Sequence, residues 1–219
     1  MKYLISIFAT LVVLIGCQKV LEETSKKTES NIVSVEDYAY IGQVHNKVLD
    51  RIKLDPTILE NNTRVNSDPE TIEEFEEWID SIYDSRSTNE KLFLDTLIVA
   101  GDLLTSESEI DTFVDRVEEI ETAISISFLS QSEKDFLLSF SSIYKNSAEY
   151  WTEAWTDPFH PYNDDIESNE LDYIPLILNL ILVDAYGYGY CANLANTNPS
   201  ICAEYSGLVS ATWLIAYIG

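Results

Sequence analysis

The stretch SQSEKDFLLSFSSIYKNSAEYWTEAWT, residues 130–156, decides the fold. Ser130 stands three places before Glu133, the spacing at which a hydroxyl and a carboxylate satisfy each other's backbone amides in the first turn of a helix. Beyond it, Leu137, Phe140, Tyr144, Ala148, Trp151 and Trp155 recur at three- and four-residue steps. That period places them on one face of a helix running from Gln131 to about Thr156, and the face reads as core.

The same grammar recurs upstream. Ser67 with Glu70, Ser87 with Glu90 and Ser106 with Glu109 repeat the capping spacing, and Ser34 with Asp37 is a looser copy. Each precedes an apolar stripe: Tyr38, Ile41, His45, Val48 and Ile52; Ile72, Phe75, Ile79 and Ile82; Leu92, Leu97, Ala100 and Leu104; Ile110, Phe113, Val117, Ile120 and Ile124. Acidic residues such as Glu73, Glu74, Glu76, Glu77, Glu118 and Glu119 fall mostly on the opposite faces, as a solvated surface should. Caps and stripes together predict an all-α domain, a compact bundle of about six or seven helices.

Downstream the texture changes. DPFHPYNDD, residues 157–165, holds two prolines that cannot continue a helix and reads as a loop. LDYIPLILNLILVDAYGYGY comes next, apolar around its whole circumference over residues 174–183, and GLVSATWLIAYIG closes the chain. Both are too short to span a bilayer, which takes roughly 20 apolar residues, and no basic residues flank them. They are expected to form a buried helical hairpin. Cys191 and Cys202 sit in the connection between them, either bridged as a disulfide or buried as two free thiols.

The charge balance excludes some functions. With 38 acidic against 13 basic residues the formal net charge is −25 at pH 7, and no Lys or Arg follows Lys145. Such a surface repels phosphate backbones, so no nucleic-acid partner is expected. It repels anionic lipid as well.

Few residues offer chemistry. The chain has two histidines, and it lacks HExxH, CxxC, GxSxG and any glycine-rich phosphate loop, so no cofactor is expected. Asp157, Asp164, Asp165 and Glu167, with Asn163, offer the oxygen ligands calcium prefers, without the DxDxDG spacing of a calcium loop. Trp151, Trp155, Tyr150 and Phe159 could line a ligand pocket, although aromatic side chains at helical spacing more often fill a core. His45 lies on an apolar stripe, and Asp184 ends the most hydrophobic segment, where an unpaired carboxylate would be costly. The two are expected to pair, with Asn46, as one polar cluster joining the first and penultimate helices. The cluster is read as a packing device; His45, Asn46 and Asp184 are also the candidates for a catalytic site, although no nucleophile motif accompanies them.

The first residues carry an address. Lys2 precedes an apolar run over residues 4–15, which ends in IGCQ, residues 15–18. This is the three-part pattern of a secretory signal. LIGC, residues 14–17, resembles the lipobox of bacterial lipoproteins, with Ile15 in place of the small residue usual before the glycine. The resemblance implies cleavage before Cys17 and acylation of that cysteine, with two or more acyl chains giving stable membrane attachment. Residues 1–16 then read as a signal peptide, residues 17–31 as a lipidated flexible tether, and residues 32–219 as a single helical domain. The address is the cell envelope, with the outer membrane expected, on its periplasmic or surface face.

IGQVHNKVLD, residues 41–50, with DAYGYG, residues 184–189, is similar to patches in uncharacterised secreted or lipoprotein-type proteins of Bacteroidota. The matching positions are Gly42, His45, Asn46, Leu49 and Asp50, then Asp184, Ala185, Gly187 and Gly189. The likeness implies no activity. The functional expectation is a non-enzymatic lipoprotein that binds a protein partner or small ligand. Its alternatives are a hydrolase-like enzyme using His45 with Asp184 or Asp50, and an immunity or toxin-resistance lipoprotein.

Overall fold

The computed structural model describes residues 32–61, 72–104, 106, 109–163, 173–195 and 198–218. A 3-10 turn, Val35–Asp37, precedes α1 (Ala39–Leu54) and the short α2 (Thr57–Asn61). Next come α3 (Ile72–Asp84), α4 (Thr88–Gly101), α5 (Ile110–Ile126), α6 (Gln131–Thr156), α7 (Tyr173–Ala195) and α8 (Pro199–Ile218). The described residues include no strand. The all-α expectation therefore holds, with α2 as one short helix beyond the seven that the apolar stripes suggest.

Two capping boxes form in full. Ser87 Oγ accepts the Glu90 amide while Glu90 accepts the Ser87 amide, and Ser130 with Glu133 repeats the arrangement. Ser87 Oγ also donates to Glu133 Oε1 at 2.7 Å, which ties the first turns of α4 and α6 together. One expected box does not form. Ser34 opens only the 3-10 turn, its hydroxyl donating to Glu36, and α1 starts after Tyr38 without a side-chain cap. The α5 helix begins at Ile110, with Glu109 rather than Ser106 at its N-cap. Ser67 and Glu70 lie outside the described residues.

The stripes are core faces. Ile41, Val48 and Ile52 of α1, Ile82 of α3, and Phe113, Val117, Ile120 and Ile124 of α5 are buried, as are Leu137, Phe140, Tyr144, Ala148 and Trp151 of α6. The α4 stripe needs correction: Leu92 is exposed, and Leu94 joins Leu97, Ala100 and Leu104 inside. On that helix nearly every position from 92 to 100 is apolar, so the period alone does not fix the register.

The centre is a ring of four helices, each packed on the next: α1 on α6, α6 on α7, α7 on α8, and α8 on α1. The helices α1 and α6 run parallel at a constant offset, with Gly42 beside Ser142, Asn46 bonded to Asn146 and Asp50 to Tyr150. In the opposite direction, α7 passes Trp151, Phe140 and Phe136 with Asp184, Tyr186 and Gly189. Among the described residues the α7–α8 hairpin is the most extensive contact, and most of its apolar side chains are buried. Of the two states left open for the cysteines, the structure has the disulfide: Cys191 and Cys202 are bonded, with Cα atoms 5.2 Å apart. Among the described residues no helix is long and apolar enough to cross a membrane.

Small residues let these backbones approach. A Cβ at Gly42 would stand 2.6 Å from Asn146 Cβ and closer still to the Ser142 carbonyl oxygen, which is backbone and cannot swing away. A Cβ at Gly187 would lie 3.2 Å from Ser206 Cα, and one at Gly207 would lie 3.1 Å from Val48 Cγ1. Gly42→Ala should therefore destabilise the fold by about 1–3 kcal/mol, the usual cost of overpacking, read as a lower denaturant midpoint. Reducing the Cys191–Cys202 bridge, whose ends are 11 residues apart, should lower stability by about 2–4 kcal/mol. The Cys191→Ser, Cys202→Ser double variant should then be insensitive to reductant.

Candidate functional site

The centre of the four-helix ring is polar at one level. His45, on the inward face of α1, has no exposed surface, and neither has Asp184 on α7. His45 Nε2 stands 3.0 Å from Asp184 Oδ1, at an angle outside regular hydrogen-bond geometry, so the attraction is mainly one of charge. The other ring nitrogen, Nδ1, lies 2.9 Å from Asn46 Oδ1. Asn46 in turn donates through Nδ2 to the Asn146 carbonyl at 3.1 Å, which fixes which end of its amide faces the ring.

The aspartate is surrounded by donors. Its Oδ2 accepts Trp151 Nε1–H at 2.9 Å and the Ser147 hydroxyl, both from successive turns of α6. The Ser206 hydroxyl, from α8, donates to the Asp184 backbone carbonyl. All four helices of the ring therefore contribute: α1 the imidazole, α7 the carboxylate, α6 two donors, and α8 one more.

These partners fix the charge state. An imidazole nitrogen facing an acceptor must carry a proton. Both nitrogens of His45 face acceptors, Asn46 Oδ1 and the carboxylate. The Asp184 carboxyl group is met by a Trp N–H, a serine O–H and the His45 ring, so it accepts at Oδ2 and faces the imidazole at Oδ1. Burial works against the charged histidine, but the adjacent Asp184 carboxylate and the hydrogen bond to Asn46 outweigh it. The His45 pKa is raised above the ordinary imidazole value.

The arrangement has the wrong order for serine catalysis. In such a triad the imidazole lies between hydroxyl and carboxylate and takes the hydroxyl proton. Here the carboxylate is in the middle, between Ser147 and His45. Both ring nitrogens of His45 face acceptors, and neither is directed at the Ser147 hydroxyl.

The remaining candidates separate. Asp50 faces Tyr150, whose phenol donates to Oδ1 at 2.9 Å. Burial first, and then the Asp50 carboxylate, push that phenol up, so it remains a neutral donor. The aromatic set divides: Trp151 and Tyr150 are core, Trp155 is half-buried, and Phe159 is 92 % exposed and lines nothing with them. Asp157 uses Oδ1 to accept the Phe159 amide at 2.9 Å, a local turn. Asp164, Asp165 and Glu167 lie outside the described residues. Among the described residues no group of three or more His, Cys, Asp or Glu side chains is placed to hold a metal ion.

Sequence reasoning missed Ser147, Ser206 and Asn146. The signal was there for two of them: Ser147 and Trp151 are four residues apart, one helical turn, and Asn146 is four residues after Ser142 on the side that meets α1. Ser206 had no local mark, since only the hairpin register brings it to Asp184. A second charged group was also unforeseen. Glu121, buried on α5, accepts Ser141 Oγ–H at 3.0 Å and Lys145 Nζ at 3.0 Å.

Removing one member of the central pair leaves an uncompensated charge in the core. Asp184→Asn and His45→Gln should each cost about 3–5 kcal/mol, and the double variant should cost well below the sum, measured as a double-mutant cycle by urea denaturation. The pH dependence has a definite sign. A histidine whose folded pKa is raised contributes in full below the unfolded value of about 6.5, and the contribution is lost as pH rises through the folded value. The stability gap between the wild type and His45→Gln should therefore narrow above neutral pH.

Comparison with protein-family models, with curated proteins and with solved structures finds no match.

Proposed function

We propose that the chain is a lipid-anchored protein of the cell envelope whose helical domain is a non-enzymatic binding module. Anchoring rests on the lipobox-like LIGC, residues 14–17, after a short basic start and an apolar run. In this reading Cys17, which lies outside the described residues, carries the acyl chains, and residues 18–31 connect the membrane to the bundle. The outer membrane is the assigned compartment.

The observation that carries the non-enzymatic part is the complete closure of the His45–Asp184 pair, with both side chains at 0 % exposure. A catalytic acid or base has to reach a substrate directly or through one water. A sealed imidazole, hydrogen-bonded at Nδ1 and paired with Asp184 at Nε2, instead does the work of a packing element. The acidic outer faces of the helices then become the binding surface, and charge selects for a partner protein or small ligand that is cationic or neutral.

Cys17→Ser tests the address. Wild-type protein expressed with its own leader should sediment with membranes and give a mature N-terminal peptide beginning at residue 17 with added acyl mass. The serine variant should lose both the acyl mass and the membrane association. A wild-type N-terminus that is cleaved without acyl mass would overturn the anchoring.

A further inference from the structure

Two exposed apolar tips stand out, at opposite ends of the bundle. At one end Leu54 and Phe159 are 82 % and 92 % exposed, in segments that also hold Arg51, Lys53, Asp55 and Asp157. At the other end the α5–α6 loop shows Phe128 at 88 % and Ile126 at 59 % exposure. Residues 122–132 around that loop carry no charged side chain, although 23 % of the chain is charged.

The α5–α6 loop is held firmly. Ser127 Oγ donates to the Ile124 carbonyl at 2.7 Å, Lys134 Nζ donates to the Ser125 carbonyl at 2.7 Å, and Leu129 is buried. The Ser130 capping box fixes the next turn. Phe128 is therefore displayed by a preorganised loop, and its exposure is not that of a loose segment.

This end is also where the described chain begins. The 3-10 turn Val35–Asp37 packs on α5, and the Tyr38 hydroxyl donates to Asp135 in the first turns of α6. Ile32, 64 % exposed, is the first described residue. From Cys17 to Ile32 the chain can span at most about 50 Å fully extended, and it enters the bundle at this end, which is therefore the end nearest the anchor along the chain.

We propose that the α5–α6 tip rests in the interface of the bilayer that holds the anchor, with Phe128 and Ile126 inserted at headgroup level. This rests on the lipid-anchored reading. Aromatic and aliphatic side chains partition into the interface, and a loop without charge enters it with no ion to desolvate. The tip at Leu54 and Phe159 has charges on both flanking segments and faces away from the membrane. Contact at the tether end sets the orientation of the domain, with the C-terminal ends of α1 and α6 outward.

Site-directed spin labelling tests this on the full-length lipidated protein in phosphatidylcholine vesicles. With Cys17 acylated and Cys191 bonded to Cys202, Phe128→Cys and Phe159→Cys each supply one free thiol. A nitroxide at position 128 should collide with oxygen in preference to a water-soluble nickel chelate, with a ratio several-fold above that at position 159. Equal, nickel-dominated collision at both positions, in protein that floats with the vesicles, would overturn the proposal and leave the tip to a protein partner. Protein that neither floats nor carries acyl mass would overturn the anchor, and the proposal with it.

Discussion

Placing an imidazolium and a carboxylate in a protein interior costs several kcal/mol per ion after relaxation, and their mutual attraction offsets this only when the remaining donors and acceptors are also satisfied. The His45–Asp184 pair draws on side chains of α1, α6 and α7, and Ser206 of α8 holds the Asp184 backbone carbonyl. Much of the helix packing is a consequence. Trp151 must present its N–H inward, so α6 crosses α7 at Asp184. Asn46 must reach the Asn146 carbonyl, which holds α1 and α6 parallel and in one register. Gly42 permits the approach, since any larger residue would meet the Ser142 carbonyl.

A hydrophobic core of leucines and isoleucines packs in many registers with little difference in energy. A buried pair that is stable in only one register removes that degeneracy, and slippage by a single turn would leave both ions unpaired. This accounts for the composition of the central helix α6, whose buried face includes Ser139, Ser141, Ser142 and Ser147 among its aromatic residues. Two of these serve the central contacts directly: Ser142 accepts the Gly42 amide, and Ser147 donates to Asp184. The disulfide acts on the same hairpin from its connecting end, fixing α7 and α8 so that Ser206 reaches the Asp184 carbonyl.

Much of this could be read in the chain before any coordinates. Ser87–Glu90 and Ser130–Glu133 mark true helix starts because both partners are local, so three residues of sequence contain the whole interaction. Ser34 has the same spacing but leads into a 3-10 turn, and Ser106 is not the N-cap of α5, which starts at Ile110. The His45–Asp184 pairing was legible from cost alone, because each sat where an unpaired charge could not remain. The donors to Asp184 were less so: Ser147 and Ser206 resemble any other buried serine until helix register assigns them a partner. Leu92 failed for a related reason, as α4 is apolar on more than one face and only packing picks the inner one. The pattern GxxHNxxLD, residues 42–50, gains a physical meaning. Its glycine is the close contact with α6, its histidine is half of the charged pair, its asparagine accepts from the imidazole, Leu49 is fully buried, and Asp50 accepts the Tyr150 hydroxyl.

The central claim is that His45 is a sealed structural ion, charged at neutral pH, and nitrogen-15 NMR of the imidazole ring tests it most directly. At pH 7 both ring nitrogens of His45 should show imidazolium shifts, with N–H protons that exchange slowly with water, while the half-buried His160, whose pKa burial lowers, titrates as a neutral ring. A single neutral tautomer at His45 with fast-exchanging protons would contradict the account and reopen the pair as a chemically active site.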